Sequence, residues 1–481
     1  MRNLLVVVFW LYSPSPSLAA PSAIFKTVRT EDDLITGHRS SKALAVWEYL
    51  GIPYTQPPVG NLRFAAPQKY TSTTPYTAQA AVQPTFPGFT PQAPKILAAF
   101  TAGPGTLRSE DCLTLNIWAK PTIKSSKAKK PVVTNPDIDL TLSGFAGGNT
   151  NGPFANGQYL ANAEDIIIVS VNYRVNVFGF SGTSGADTNP GLRDQRLAVE
   201  WLQKNIAAFG AAAVDWWSYA YTQNPIVRGL IGTSGNAFSF PMNAPQKQVR
   251  NWYNISSLVG CGSSGDTLPC MRALPWETIS GVVSRVPSIP GGSPVRSTPP
   301  FYPMVDGEII FSDYLSLASS GSFAKVPYFH GHSNYEQGYY VIPAFAQGRN
   351  VTEAQTAQFI LESSVCPHSY KSRRRAEAGV PTGAYHGTEL HMILGGSEDA
   401  SGLPASQAQK DTSRLFQKAV AAFVDNPESG LTRFGWPKFD ASAKPWIEIA
   451  VGNKPKASPA KPETYGAPCS TIVMGALPTL T

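Results

Sequence analysis

Apolar runs at three places along the chain predict strands. They lie at residues 43–54, 113–118 and 166–173. The first run follows no strict period, so its assignment rests on its apolar and aromatic content. The third run is apolar through most of its length, which is typical of a parallel strand buried on both faces. Together the runs predict a sheet with a large buried area.

One stretch predicts an amphipathic helix. It starts near Asn189 and Pro190, and proline is favoured early in the first turn of a helix. One apolar stripe at helical spacing follows, formed by Leu197, Trp201, Leu202, Ile206 and Phe209. Such helical patterns alternate with the strand-like runs, and no internal repeat is visible. The chain is therefore expected to form an α/β fold, with helices packed on a mostly parallel sheet.

The first twenty residues read as a secretory signal. Arg2 supplies a short basic start, residues 4–11 are apolar, and residues 17–19 form a small-x-small cleavage site. No later stretch approaches the ~18 apolar residues of a membrane-spanning helix. We expect a signal peptide at 1–20 and one domain at 21–481. The mature protein should be secreted and should have no integral membrane segment.

Composition narrows the class of protein. Apolar residues make up 42% of the 481 positions, which is enough for a large core and excludes a disordered chain. The formal net charge is +7. Much of it comes from two clusters, at 124–130 and 371–375, that have no aromatic residues between the charges. We interpret them as solvated surface, so no nucleic-acid partner is expected.

Five cysteines agree with an oxidising compartment. Cys261 and Cys270 flank a short Gly/Ser-rich segment that is flexible enough to close a small disulfide loop. Cys366 and Cys469 can pair and hold the C-terminal tail. Cys112 is then left over, which is unusual in a secreted chain.

The sequence also bears on glycosylation and on metal binding. Asn254 (in NIS) and Asn350 (in NVT) are glycosylation acceptors if they are exposed. No H-x-x-x-H or C-x-x-C pattern suggests a metal site. We therefore expect neither a metal ion nor a cofactor.

Several segments in one order resemble the type B carboxylesterase and lipase family, the cholinesterase-like branch of the α/β-hydrolases. They include YLGIPYTQPPVGNLRFAAPQ at 49–68, SEDCLTLNIWAKP at 109–121 and VSVNYRVNVFGF at 169–180. NPGLRDQRLAVEWLQKNIAAFG at 189–210 follows. The resemblance covers nearly all of residues 25–450 and is closest to fungal secreted esterases. It implies the α/β-hydrolase fold and a small-molecule or lipid ester as substrate.

The resemblance also implies a Ser–Glu–His triad. In such a triad the His takes the proton of the Ser, and the acid orients the imidazole and stabilises its charged form. By motif match the acid is Glu336, in GHSNYEQG, and the base is His386, in GAYHGTEL. The serine of the family stands in a strained G-x-S-x-G turn between a strand and a helix.

The nucleophile is missing from this chain, because no G-x-S-x-G occurs in it. Gly210 runs directly into AAAVDWWSYAY, which resembles the helix beyond the nucleophile turn, so roughly fifteen residues with the strand and its Ser are absent. The Gly-rich oxyanion loop is altered as well, and only its end, with Gly144, resembles the family. A third break precedes His386, at 378–386.

These breaks leave several interpretations open. In the first interpretation, the true gene product is a secreted ester hydrolase, and this chain is an imperfect, inactive version of it. The breaks then mark misplaced exon boundaries. Alternatively, the chain is a non-catalytic binding or adhesion protein of the family. A third reading is weak activity through another nucleophile. The sequence does not name the ester or the oligomeric state.

Overall fold

The computed structural model of the chain describes 26 to 333 with several gaps, and most of 387 to 460. The described residues are 26–30, 34–71, 76–77, 108–121, 130–135, 145, 149–150, 152, 155–205, 214–233, 237, 244–283, 285–286, 289–293, 296–333, 387–440, 442 and 445–460. All structural statements below concern these residues.

The described residues form fourteen strands. They are β1 (Thr27–Arg29), β2 (Leu34–Thr36), β3 (His38–Arg39), β4 (Trp47–Pro53), β5 (Tyr76–Thr77), β6 (Thr114–Ala119), β7 (Val132–Asn135), β8 (Ile167–Val171), β9 (Leu230–Thr233), β10 (Ile289–Ser293), β11 (Arg296–Thr298), β12 (Tyr328–Gly331), β13 (Trp446–Ile449) and β14 (Ala457–Ala460).

Twelve α-helices lie in the same part of the chain. They are α1 (Gln158–Glu164), α2 (Asn176–Gly179), α3 (Pro190–Asn205), α4 (Val214–Ala220), α5 (Pro245–Leu258), α6 (Leu268–Ala273), α7 (Trp276–Val283), α8 (Tyr314–Ser319), α9 (Thr388–Leu394), α10 (Ser397–Ser401), α11 (Gln407–Asp425) and α12 (Gly430–Arg433). Short 3-10 turns stand at Gly60–Leu62 and Val451–Asn453.

The central sheet has five strands in the order β3-β4-β6-β8-β7. The first three pairings are antiparallel, and only β7 and β8 run parallel. Parallel neighbours need a crossover connection, and α1 lies on the one between β7 and β8. The sheet is therefore mixed, whereas the sequence predicts a mostly parallel one. The difference arises because apolar runs report burial on both faces and not strand direction.

The predicted elements are present at the expected places. Strands β4, β6 and β8 lie within or across the three apolar runs, and α3 begins at Pro190 as predicted. Leu197, Trp201 and Leu202 of the predicted stripe are buried. Ile206 and Phe209 lie outside the described residues.

Helices cover both faces of the five-stranded sheet, as an α/β fold requires. On one face, Leu115 and Val169 pack with Trp201 and Leu202 of α3. The strand residues next to them point the other way, since side chains alternate across a strand. Trp118 and Ile168 thus pack with helices α1, α9 and α11. The sheet is the middle layer of three.

A second, parallel pair of strands lies between the same helices. This β9/β12 pair is a separate two-stranded sheet in the described residues. Leu230 of β9 packs with Val199 of α3 on one face. On the other face, the rings of Phe329 in β12 and Phe423 in α11 have centroids 5.8 Å apart. The pair therefore continues the middle layer beyond the five-stranded sheet.

The candidate functional site

Every residue that the sequence analysis assigned to the chemistry lies outside the described residues. These are Glu336, His386 and Gly144. Cys366, Cys469 and Asn350 also lie outside them. The described residues nearest to them in the chain are Phe145, Ser333 and Gly387.

The segment that carries Glu336 leaves the end of β12. Strand β12 ends at Gly331, and the chain continues through His332 to Ser333, which is 8% exposed. Glu336 follows Ser333 by three positions in the sequence and lies outside the described residues.

The segment that carries His386 enters α9. Gly387 directly follows His386 and has φ 84°, a left-handed conformation that glycine adopts without strain. Helix α9 then begins, with Glu389 in its first turn. The described chain thus enters α9 through a left-handed glycine at Gly387.

A hydrogen bond joins these two segments. The hydroxyl of Ser333 donates to Oε2 of Glu389 at 2.7 Å. Ser333 is three residues before Glu336, and Glu389 is three residues after His386. The contact thus holds the entrances of the two segments together beyond the carboxyl end of β12. In open α/β sheets this edge is where ligands bind.

Aromatic packing holds Phe145, the residue after Gly144. Phe145, next to Gly144, is 2% exposed and has φ 70°, which is strained for a bulky residue. Its ring stacks on Trp216 of α4, with centroids 5.3 Å apart. Its carbonyl accepts a hydrogen bond from the backbone N–H of Asn176 at 2.7 Å. These contacts fix the backbone where the loop meets the core.

A buried carboxylate anchors α4 beside the β9/β12 pair. Oδ1 of Asp215 accepts from the hydroxyl of Tyr328 at 2.7 Å, and Oδ2 accepts from the backbone N–H of Ala237 at 2.7 Å. Burial raises the pKa of Asp215, and these two hydrogen bonds oppose the rise. The carboxylate links three segments near the candidate site, and no cation is among these partners.

Strand β7 is an edge strand of the five-stranded sheet, and β9 is an edge strand of the two-stranded sheet, among the described residues. Strand β7 pairs only with β8 there, and β9 pairs only with β12. The hydroxyl of Thr134, on β7, is buried without a hydrogen-bond partner. Eight residues, 206–213, connect α3 to α4. A strand of ~5 residues with a turn on each side needs about ten.

The cysteines agree in part with their expected roles. Cys261 and Cys270 form a disulfide with Cα atoms 5.6 Å apart. Cys112 is a buried free thiol, and burial raises its pKa, so it behaves as a small apolar side chain. Asn254 is exposed on α5, as a glycosylation acceptor must be.

The described ranges contain no cluster of three or more His, Cys, Asp or Glu side chains arranged to hold a metal ion. None of their helices combines the length and apolarity needed to cross a membrane.

Sequence reasoning did not find the Ser333–Glu389 bond, the Asp215 anchor or a pair of histidines, His330 and His332, on and after β12. The bond and the anchor join residues that are far apart in the chain, so no local pattern signals them. The histidine pair had a signal, because residues i and i+2 of a strand share a face.

Comparison with known proteins places the chain among ester hydrolases. The model of a family described as the carboxylesterase family matches residues 25–380. "Chlorogenic acid esterase" of Aspergillus niger is 30% identical, over 92% of this chain and 94% of that protein. "Secreted lipase 5" of Gibberella zeae is 26% identical, over 94% and 95%. "Acetylcholinesterase" of Danio rerio is 31% identical over 62% of this chain and 49% of that protein.

The length of one alignment also shows how many of its positions have no counterpart in this chain. The match to the chlorogenic acid esterase runs over 503 positions but takes in 92% of this 481-residue chain, which is about 443 residues. About 60 aligned positions, 503 less 443, therefore have no residue of this chain opposite them.

Proposed function

The chain belongs to the carboxylesterase family, and on that premise we propose that it descends from a secreted carboxylic ester hydrolase that uses a Ser–Glu–His triad. Glu336 is the acid and His386 is the base. The nucleophile belongs to a segment that this chain lacks, so the chain as written does not hydrolyse esters. Its substrate class is a small-molecule or lipid ester.

The observation that carries this proposal is the hydrogen bond between Ser333 and Glu389. An acid–base pair works only when the carboxylate accepts the ring N–H of the imidazole, because this bond fixes the tautomer. The bond of 2.7 Å between the flanking residues supports such a meeting of Glu336 and His386. Without a nucleophile the pair has no proton to accept, so it is chemically idle in this chain.

Three observations support the loss of the nucleophile segment. The chain has no G-x-S-x-G, and only eight residues connect α3 to α4. Strands β7 and β9 each have one unpartnered edge in the described residues. About 60 positions of a full-length relative are unmatched. We propose that one strand and the serine turn belong between these edges, and that misplaced exon boundaries removed them.

The proposed secretion is supported by the names of two relatives and by two features of this chain. Relatives from Gibberella zeae and Botryotinia fuckeliana are named secreted lipases. The Cys261–Cys270 disulfide and the exposed sequon at Asn254 suit an oxidising, glycosylating compartment. Residues 1–20 are proposed to be removed as a signal peptide.

The deciding experiment first sequences the native messenger RNA and then tests the purified protein for an activated serine. Reverse transcription across the codons for 130–151, 205–217 and 378–386 should reveal a G-x-S-x-G segment after Phe209. A message that reproduces all three breaks contradicts the exon hypothesis. The chain as written should then be purified and treated with a fluorescent alkylphosphonate, which labels activated serines.

The expected result is no labelling of the chain as written. Labelling occurs once the missing segment is restored, and it disappears when the restored serine is changed to alanine. Labelling of the unrestored chain contradicts the proposed inactivity and points to another nucleophile. A message with all breaks, together with a well-folded unlabelled protein, favours the non-catalytic binding protein instead.

A further inference from the structure

We propose that the sequon on α5 carries an N-linked glycan and that this glycan is added before the helix folds. The sequon consists of Asn254, Ile255 and Ser256, close to the C-terminal end of α5. The sugar donor is an oligosaccharide linked to a lipid diphosphate. The inference rests on the proposed secretion and is independent of ester hydrolysis.

Asn254 lies on the solvent side of α5. Its side chain is exposed, whereas the next residue, Ile255, is fully buried in a core cluster with α6 and α7. Leu258 lies one turn further along the same face as Asn254 and is 49% exposed. A bulky sugar on Asn254 therefore projects into solvent beside Leu258 and does not disturb the core.

Ser256 has the opposite environment. It is 0% exposed, and its hydroxyl has no hydrogen-bond partner in the described part of the chain. A buried hydroxyl without a partner loses its hydrogen bonds to water and gains none, so it destabilises the fold. Alanine also has a higher helix propensity than serine. The packing of α5 therefore does not explain a serine at this position.

The sequon explains this serine. An N-x-S/T acceptor requires a hydroxyl at its third position, and Ser256 supplies that hydroxyl for Asn254. Residues two apart in a helix do not face each other. In the folded helix the amide is therefore on the surface and the hydroxyl is inside. An enzyme that needs both groups reaches them only before α5 has formed.

The transfer is a substitution at the first sugar of the donor. The amide nitrogen of Asn254 attacks C1 of that sugar, and a C–N bond forms as the C–O bond to the lipid diphosphate breaks. The diphosphate leaves with the electron pair, and the amide nitrogen loses one proton. The step needs neither an oxidant nor a reductant.

A disulfide holds the folded form of this segment. The backbone N–H of Cys261 donates to the carbonyl of Ser256 at 2.8 Å, and Cys261 is bonded to Cys270. Closure of the disulfide therefore fixes the end of α5 in the helical form that hides the serine hydroxyl. Disulfide formation and glycosylation compete for the same segment, so glycosylation comes first.

Cell-free translation of the full chain with endoplasmic-reticulum microsomes tests the glycan. An established signal sequence is added before residue 1, so the result does not depend on residues 1–20, and only the protease-protected chain is scored. Peptide mass spectrometry should find a glycan at Asn254 that endoglycosidase H shortens. Asn254→Gln should abolish it. Asn350→Gln, at the second sequon, is the matched control and should leave it in place.

A protected chain without a glycan at Asn254 overturns the proposal. That outcome leaves the ester-hydrolase proposal intact, because no serine labelling enters the experiment. Labelling of the chain as written, conversely, contradicts the proposed inactivity and leaves the glycan in place.

Substitutions of Ser256 separate recognition from packing. Ser256→Ala should abolish the glycan although Asn254 is kept, and Ser256→Thr should retain it. In the unglycosylated chain made in bacteria, Ser256→Ala should raise the midpoint of denaturant unfolding, because it removes the unpaired hydroxyl. An unchanged or lowered midpoint overturns the assignment of Ser256 as a residue kept for the sequon at a cost to the fold.

Removal of the disulfide tests the order of events. Cys261→Ser combined with Cys270→Ser releases the end of α5, so the share of chains with a glycan at Asn254 should be equal to that of the parent or higher. A lower share in the double variant identifies the folded segment as the acceptor and overturns the proposed order.

Discussion

The five-stranded sheet and the β9/β12 pair lie between the same helices but bury charge in different ways. Beside the five-stranded sheet, buried cations meet buried anions. Arg174 donates to both carboxylate oxygens of Asp194, at 2.7 and 2.8 Å. Arg63 likewise donates to both oxygens of Glu110. The attraction between two buried charges offsets the cost of removing them from water only when their geometry is good and their hydrogen bonds are complete.

The groups around the β9/β12 pair have neutral partners instead. Asp215 accepts from a tyrosine hydroxyl and a backbone N–H. His391, on α9, is 7% exposed and bonds to Ser397 at 2.8 Å. Burial lowers the pKa of His391 to about 4. The comparison teaches that the fold balances buried charge beside the five-stranded sheet by ion pairing, whereas the described hydrogen bonds to Asp215 and His391 come from neutral groups.

Inserting the strand that we propose to be missing should have the largest effect. A segment with a strand and G-x-S-x-G, taken from the chlorogenic acid esterase relative, would be inserted between Phe209 and Val214. It should raise hydrolysis of a p-nitrophenyl ester by about 10⁴-fold or more, since triad residues contribute about 10⁶ together. It should also raise the free energy of unfolding, because the edges of β7 and β9 gain partners.

The control for this prediction is the same insertion with its serine changed to alanine. It should keep the stability gain and lose the activity. An insertion that folds, binds no phosphonate and hydrolyses nothing contradicts the assignment of Glu336 and His386. An insertion that leaves stability unchanged contradicts the placement of the strand between the two edges.

The second-largest effect should come from breaking a buried charge pair, and it should distinguish the two regions by their loss of stability. Asp194→Asn leaves Arg174 buried without its partner, and breaking a buried pair in this way costs about 3–5 kcal/mol. Asp215→Asn removes a desolvated carboxylate that has no partner cation, and it should cost much less. Denaturant unfolding measures both. Equal losses in the two variants contradict the contrast between paired and unpaired burial.

Much of the five-stranded sheet can be predicted from the sequence, for a physical reason. All six residues of β6 are buried, and four of them (Leu115, Ile117, Trp118 and Ala119) are apolar or aromatic, so the strand has a strong sequence signature. None of the four residues of β12 is fully buried, and they include His330, so this strand has a weaker signature. Strand direction has no comparable signature, because burial on two faces looks the same in parallel and antiparallel strands.

The candidate site can likewise be predicted only in part from the sequence. Family motifs indicate Glu336 and His386, but the bond that joins their segments links Ser333 to Glu389, 56 residues apart. Such a contact depends on the packing of α9 against the β9/β12 pair, which no local pattern encodes. The Asp215 anchor is hidden likewise, because it joins α4 to Tyr328 at a distance of 113 residues.

Acid should destabilise the β9/β12 half through His391. Its pKa falls from an ordinary value of 6.5 to about 4 in the folded chain, so the unfolded chain takes up the proton first as pH falls. The loss of stability therefore begins near pH 6.5, grows to about 3 kcal/mol near pH 4 and is then constant. His391→Gln should flatten this part of the pH profile. A flat profile in the parent chain contradicts the prediction.

The smallest effect should come from the bond between the two candidate segments. Ser333→Ala removes the hydroxyl that Glu389 accepts from, and a hydrogen bond to a charged group contributes about 1.5–3 kcal/mol. Ser333→Thr keeps a hydroxyl and should restore most of the loss. In the restored enzyme, Ser333→Ala should lower kcat and leave KM nearly unchanged, because the bond positions the acid and base and does not touch the ester. A loss of stability without any change in kcat would make the bond a packing contact and remove the main support for a meeting of Glu336 and His386.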